Sequence, residues 1–169
     1  NSTKANRTIS WHGGLAIDDC VIEGLSQQAT SYVGYGVKMQ QNSGNQMFLM
    51  HNSVIKNMGG SALYLGSGAV DDMHIHIMDC VFYKCSVHAS AYAAVAISRT
   101  GANIIRNIFR ECGASGTYTT AMWLSQPSSY RGAQVVEGNT FFGSVSSDID
   151  LRGDATPSWV IIKNNISED

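Results

Sequence analysis

Two carboxylates in the sequence have a spacing that could support hydrolysis of a glycosidic bond. Asp148 and Asp150 are two residues apart, and Arg152 follows at the same interval. On an extended strand such residues project to the same side about 6 to 7 Å apart, near the separation that paired carboxylates use in glycoside hydrolysis. These three residues are therefore the candidate catalytic group. Carboxylates on one strand cannot easily flank a single bond, however, and a charged, solvated strand edge is the alternative.

A short acidic and imidazole-rich run could bind a metal ion. It reads Asp71-Asp72-Met73-His74-Ile75-His76. If Ile75 is buried in a strand, His74 and His76 share the outward face, and neutral imidazoles are common metal ligands. Asp72 is the candidate third ligand. The alternative interpretation is a set of solvated surface residues.

These candidates lie in a chain that repeats one short phrase. The phrase is Asp or Asn, one variable residue and, in most copies, a large apolar residue. Its copies are 33, 27, 28, 32 and 26 residues apart and begin at Asp19, Asn52, Asp79, Asn107, Asn139 and Asn165. An internal repeat of this length is the sequence signature of a solenoid.

A second phrase, apolar–any–apolar, lies between the copies of the first. It reads Val37-Lys38-Met39, Leu63-Tyr64-Leu65, Val95-Ala96-Ile97, Met122-Trp123-Leu124 and Ile149-Asp150-Leu151. Its period of two is that of a strand with one buried face, and no segment has a capped helical period. Together the two phrases predict an all-β fold, a parallel β-helix of about five to six coils stacked about 4.8 Å apart.

The first phrase should form the corners of the coils. Asn and Asp tolerate the left-handed conformation that a sharp corner needs, so stacked corners should form a ladder of polar side chains. The apolar residues before the corner sit at even offsets in the early coils, as Ile77 does before Asp79. Later they sit at odd offsets, as Ile104 does before Asn107. We therefore expect the corner to change by one residue partway.

Two of the four cysteines occupy equivalent positions in neighbouring coils. Cys85 and Cys112 follow Phe82 and Phe109 by three residues each. If the phenylalanines stack, the two sulfurs lie about one strand spacing apart, within disulfide reach. A stacked pair of free thiols is equally consistent with the phrase.

The repeats resemble those of a known superfamily. The segments IIRNIFREC, VVEGNTFFGS and VIIKNNIS alternate with strands such as AMWLS, and they look like the repeats of the pectin-lyase-like right-handed β-helix superfamily over about residues 14–167. The resemblance implies a right-handed, single-stranded parallel β-helix. It does not select a function, because that superfamily includes polysaccharide lyases, glycoside hydrolases, epimerases, phage tailspikes and adhesins. The Gly-His-Gly phrase of polygalacturonase-like hydrolases is absent.

Alternation also defines an outward column, and in the superfamily polysaccharide usually lies on this face. The column consists of Lys38, Tyr64, Ala96, Trp123 and Asp150. With small residues beside it, Tyr64 and Trp123 would be two stacking platforms about 10 Å apart under a sugar chain. The candidate substrate-binding residues are Lys38, Tyr64, Ser98, Arg99, Trp123 and Arg131. The alternative is that loops cover the face and both rings are simply packed.

Composition and charge limit the partners. The net charge of −2 predicts no attraction to nucleic acid or to an anionic membrane, and the longest apolar run, Ala91–Ile97, is far too short for a membrane span. We expect residues 1–169 to form one β-helix domain that is a fragment of a longer chain, with residues 1–12 as an N-terminal cap. Open solenoid ends need shielding, so a homotrimer is the expected assembly if the ends are not capped.

Two functions follow as expectations. The leading one is an extracellular domain, on a cell surface or virion, that binds or degrades a polysaccharide lying along the outward strand face. The alternative is a non-catalytic structural β-helix of a phage tailspike or surface adhesin. No cofactor is expected, except that a lyase of this kind would use Ca²⁺ held by aspartates to neutralise a uronate carboxylate.

Overall fold

The described part of the chain consists of short strands joined by corners and connections. The computed structural model describes residues 7–11, 14–24, 34–39, 46–65, 73–88, 93–98, 101–113, 120–126, 133–145, 147–153 and 159–168. Within these ranges there are eighteen β-strands. The same ranges contain no helix that could span a membrane.

The strands recur in groups of three, and each group is one coil. The first three coils contain β1 (Arg7–Trp11), β2 (Leu15–Asp18), β3 (Val21–Glu23), β4 (Tyr35–Met39), β5 (Gln46–His51), β6 (Val54–Met58), β7 (Leu63–Leu65), β8 (Met73–Met78) and β9 (Val81–Cys85). The next three contain β10 (Ala93–Ser98), β11 (Gly101–Ile105), β12 (Ile108–Arg110), β13 (Thr120–Gln126), β14 (Gln134–Glu137), β15 (Thr140–Phe142), β16 (Ile149–Gly153), β17 (Val160–Lys163) and β18 (Ile166–Glu168).

Each strand pairs in parallel with the equivalent strands of the adjacent coils. The result is three six-stranded sheets, which we name sheet A (β1-β4-β7-β10-β13-β16), sheet B (β2-β5-β8-β11-β14-β17) and sheet C (β3-β6-β9-β12-β15-β18). This is a right-handed parallel β-helix with six described coils, as predicted. Part of the segment predicted to cap the solenoid, residues 7–11, pairs with β4 as the outermost strand of sheet A; residues 1–6 and 12 lie outside the described residues.

Columns of stacked apolar residues fill the interior. In sheet A the outer members of the apolar–any–apolar phrase align with one another, as Val95 does with Leu63 and Met122, and all three are fully buried. In sheet B, Ile104 stacks on Ile77 in the same way. A buried aliphatic side chain of this size contributes roughly 1.5–3 kcal/mol relative to an exposed one, so each coil gains its stability from its neighbours.

Sheet C contributes a phenylalanine stack to the core. The ring centroids of Phe82 and Phe109 are 4.9 Å apart and those of Phe109 and Phe141 are 5.0 Å apart, with nearly parallel planes. The predicted stacking is thus confirmed. Cys85 and Cys112 follow in the same register and are buried free thiols. Cys112 donates to the carbonyl of Phe82 at 3.3 Å, so its thiol is satisfied by the coil before it.

The corner between sheets B and C keeps one geometry in all six coils. Its first residue has a positive φ of 46° to 64°, and it is Asp19, Asn52, Asp79, Arg106, Gly138 or Asn164. Its second residue is buried in coils two to five, where it is Ser53, Cys80, Asn107 or Asn139, and in the two end coils it is the exposed Cys20 and the partly buried Asn165. The expectation that the corner changes by one residue was therefore wrong. The corner is constant, and from the fourth coil on its second position is an asparagine, whereas in the first three coils it is a cysteine or serine.

These asparagines form a buried hydrogen-bonded ladder. Oδ1 of Asn139 accepts from the backbone N and from Nδ2 of Asn107, at 2.9 and 3.0 Å. Oδ1 of Asn165 accepts from the same two groups of Asn139, both at 2.9 Å. Nδ2 of Asn139 also donates to the carbonyl of Ile104 at 2.9 Å. The predicted polar ladder is confirmed for these coils, and it satisfies backbone groups that the corner would otherwise leave buried without partners.

In the coil before the ladder, Cys80 occupies the second position of the corner in place of an asparagine. Oδ1 of Asn107 accepts from the backbone N of Cys80 at 2.9 Å, and Cys80 donates its thiol to the carbonyl of Met78 at 3.1 Å. Burial raises the pKa of Cys80 to about 11. The thiolate is disfavoured there, so this cysteine acts as a packed thiol donor rather than as a nucleophile.

Removing the central amide of the ladder should destabilise the fold. We expect Asn139→Ala to lower the free energy of unfolding by about 2–4 kcal/mol, because the buried backbone N–H of Asn107 loses its acceptor and the carbonyl of Ile104 loses the amide donor. Asn103→Ala, on the outer face of sheet B, should lower it by less than about 1 kcal/mol. Urea denaturation of both variants measures the difference, and equal losses would contradict a structural role for the ladder.

Candidate functional site

The outer face of sheet A carries the predicted column in full register. Lys38 pairs with Tyr64, Ala96 pairs with both Tyr64 and Trp123, and Trp123 pairs with Asp150. The two aromatic rungs are therefore two strand spacings apart, about 10 Å. The alternation of the phrase placed every member of this column correctly.

One end of the column is a cluster of two tyrosines and a lysine. The Lys38 ammonium lies 5.0 Å from the ring centroid of Tyr64 and 4.7 Å from that of Tyr35. The two rings meet edge to face, with centroids 5.4 Å apart. Such contacts orient the rings and hold the cation against their faces. The sequence analysis missed Tyr35. It lies two residues before the buried Val37, so strand alternation places both on the inner side, and nothing in the repeat marks Tyr35 as an exception.

The small residues of this face are buried, contrary to the expectation of a bare, shallow floor. Ala62, Ala94 and Ala121 are completely buried, and Ala96 is only 1% exposed. Tyr64 and Trp123 remain partly exposed on either side of Ala96. The solvent-accessible part of the face therefore consists of the larger side chains.

The candidate catalytic residues lie at the other end of the column. Asp150 is in β16 beside Trp123, and the backbone of Arg152 pairs with that of Ser125, which in turn pairs with Ser98. Asp148 precedes the strand, and its Oδ2 accepts a hydrogen bond from Ser167 on β18. This carboxylate is thus directed at a neighbouring strand of the last coil. Catalysis by the three residues stays a prediction, and Arg99 and Arg131 lie outside the described residues.

The predicted histidine pair lies on the outer face of sheet B. His74 is exposed and His76 is partly buried, with the buried Ile75 between them, as the alternation requires. The Nδ1 atom of His76 is 3.2 Å from Nδ2 of Asn103 on the next coil. Sequence reasoning did not find Asn103, since the register of sheet B alone brings it beside His76.

A metal ion would need further ligands on this face. The described residues contain no group of three or more histidine, cysteine, aspartate or glutamate side chains that could hold one. Asp72, the predicted third ligand, lies outside the described residues. The metal site stays a prediction, with His74 and His76 as the ligands that the structure places on one face.

The environment of His76 disfavours its charged form. Burial lowers the pKa of this imidazole below its ordinary value, and the nearby His74 and His51 lower it further. We expect NMR titration to give His76 a pKa below 6.5, and His74→Ala to raise it part of the way back. A His76 pKa above 6.5, or one that His74→Ala lowers, would contradict this account.

The same shift makes stability depend on pH. Because the folded-state pKa lies below the unfolded one, the folded state binds fewer protons. The stability that His76 contributes is thus present above about pH 6.5 and is lost as the pH falls toward the folded pKa.

Comparison with known proteins identifies the family of the chain. No curated protein and no solved structure matches it. The family model described as "Right handed beta helix region" matches residues 35–169, which include coils two to six. With the parallel register of all three sheets, this match shows that the chain belongs to the right-handed β-helix family.

Proposed function

We propose that this domain binds a polysaccharide along the outer face of sheet A. The observation that carries the proposal is the register of partly exposed side chains, Lys38, Tyr64 and Trp123, on one straight column. A parallel β-helix repeats the same side-chain position at every coil, so the column runs along the solenoid axis. An extended polymer can follow such a column, whereas a compact ligand would use only part of it.

The chemistry of the column suits a sugar chain. Aromatic rings present a flat apolar surface to the C–H groups of a pyranose ring. The cluster of Tyr35, Tyr64 and Lys38 is already ordered by ring and cation contacts, so binding loses less side-chain entropy there. Ser98 and Ser125, paired on adjacent coils, add hydroxyl groups beside the column.

Cleavage is a separate proposal from binding. Hydrolysis needs an acid and a base or nucleophile on opposite sides of the bond, and Asp148 is directed at Ser167. Asp150 is the carboxylate of the pair that pairs in register with Trp123 in the column. We therefore propose that the domain binds the polysaccharide. As a separate proposal, Asp148, Asp150 and Arg152 would cleave it. An extracellular, cell-surface or virion location fits a polysaccharide partner.

Retention on immobilised polysaccharides tests the binding function. We expect one polymer of an acidic and neutral panel to retain the protein, and Trp123→Ala and Tyr64→Ala each to weaken retention about tenfold, or about 1.4 kcal/mol. Tyr83→Ala is the matched control, because a lysine ammonium lies over Tyr83 at 5.1 Å, as it does over Tyr64, but on sheet C. No retention on any polymer, or equal losses in all three variants, would reject the proposal.

A second candidate is a structural shaft of a tailspike or adhesin. It is favoured by the continuous asparagine and phenylalanine ladders, which stiffen the solenoid whatever its outer face binds. Solution mass separates the two functions. We expect a monomer for a secreted binding domain, whereas a stable homotrimer without polysaccharide retention would favour the shaft.

A further inference from the structure

The outer face of sheet B contains a notch beside His74 and His76, the two histidines of the predicted metal site. One column of this face consists of Met47, His74, Gly101, Ala133 and Trp159. Met47 and Gly101 both pair with His74. The backbone N of Ala102 donates to Ala133 and that of Gln134 donates to Trp159, which places Ala133 beside Gly101 and Trp159 beside Ala133. Two adjacent coils therefore have almost no side chain in this column.

The missing side chains leave a recess of about 140 Å³. Gly101, Ala102 and Ala133 form its floor, and His74, His76 and Asn103 form one wall. On the far side Trp159 occupies the next position of the column, and it is 69% exposed. Val160 packs against the core, and because side chains alternate along a strand, the preceding Trp159 points outward. Polar side chains thus line the recess on one side, and the exposed indole of Trp159 follows one strand spacing beyond Ala133.

The polar wall presents a donor and an acceptor side by side. Nδ2 of Asn103 lies 3.2 Å from Nδ1 of His76, so the amide donates to a neutral imidazole. That contact leaves the Nε2–H of His76 as a donor and Oδ1 of Asn103 as an acceptor. Each hydroxyl group of a sugar both donates and accepts, so a pair of neighbouring hydroxyl groups matches this wall.

We propose that the notch binds one hydroxylated ring of a neutral sugar, at a site separate from the face of sheet A. The ring would stack on Trp159 and direct neighbouring hydroxyl groups at His76 and Asn103. The recess is smaller than the roughly 300–1,000 Å³ of pockets for larger ligands, which fits a single ring. The described residues that line it include no lysine or arginine, so this lining favours an uncharged ring.

Titration with simple glycosides tests the site. The probes are methyl glucopyranoside, methyl galactopyranoside and methyl mannopyranoside, added to the folded domain in the tens of millimolar, since a ligand this small should have a millimolar Kd. We expect at least one probe to shift the amide NMR signals of Gly101, Ala102 and Asn103. Trp159→Ala and Asn103→Ala should each weaken that binding about tenfold.

Matched variants separate this site from sheet A. Trp123→Ala should change only signals on sheet A, and Tyr83→Ala, which lies on sheet C outside both sites, should leave unchanged the Kd that the amides of Gly101, Ala102 and Asn103 report. Since Trp159 is exposed, its removal should not lower the urea midpoint. The proposal is overturned if no probe shifts these amides, if the shifts lie only on sheet A, or if either Trp159→Ala or Asn103→Ala retains full affinity. None of these outcomes depends on whether sheet A binds a polymer.

Discussion

The in-register pairing of the corner between sheets B and C is the constraint on which the other features depend. At this corner one residue adopts a positive φ and the next points inward to bond the coil beside it. Side chains of a strand alternate between faces, so a shift of one residue would exchange the core and the surface of every strand that follows. The buried amides resist such a shift, because they would lose all their partners at once.

Both candidate sites inherit their geometry from that register. The column of sheet A is straight because each coil repeats the same position, and the notch of sheet B exists because two consecutive coils have small residues at one position. Neither site requires a special loop among the described residues. The chemistry of each face is therefore determined by which side chain occupies a repeated position, while the backbone geometry stays constant.

The sequence predicted the strand faces better than the corners. The phrase Met122-Trp123-Leu124 marks its own faces, since two apolar residues flank an outward one, and all its copies aligned as predicted. The sequence analysis aligned the corners by residue type and so matched Asn107 with Asp79. In the structure Asn107 is equivalent to Cys80, 27 residues earlier, and accepts a hydrogen bond from its backbone N. Sequence alone does not distinguish an asparagine that adopts a positive φ from one that points inward. Burial of Ala96 and the position of Tyr35 depend on contacts between coils, which no single phrase encodes.

The lengths of the connections have a consequence for how such a domain can diversify. The corner between sheets B and C consists of two residues in every described coil. The segments on the two sides of sheet A vary from two residues, between Ser98 and Gly101, to eleven, between Glu23 and Tyr35. Insertions and deletions can accumulate beside sheet A without moving the amide ladder. A change in the length of these segments should therefore leave the amide ladder, and the stability it supplies, unchanged.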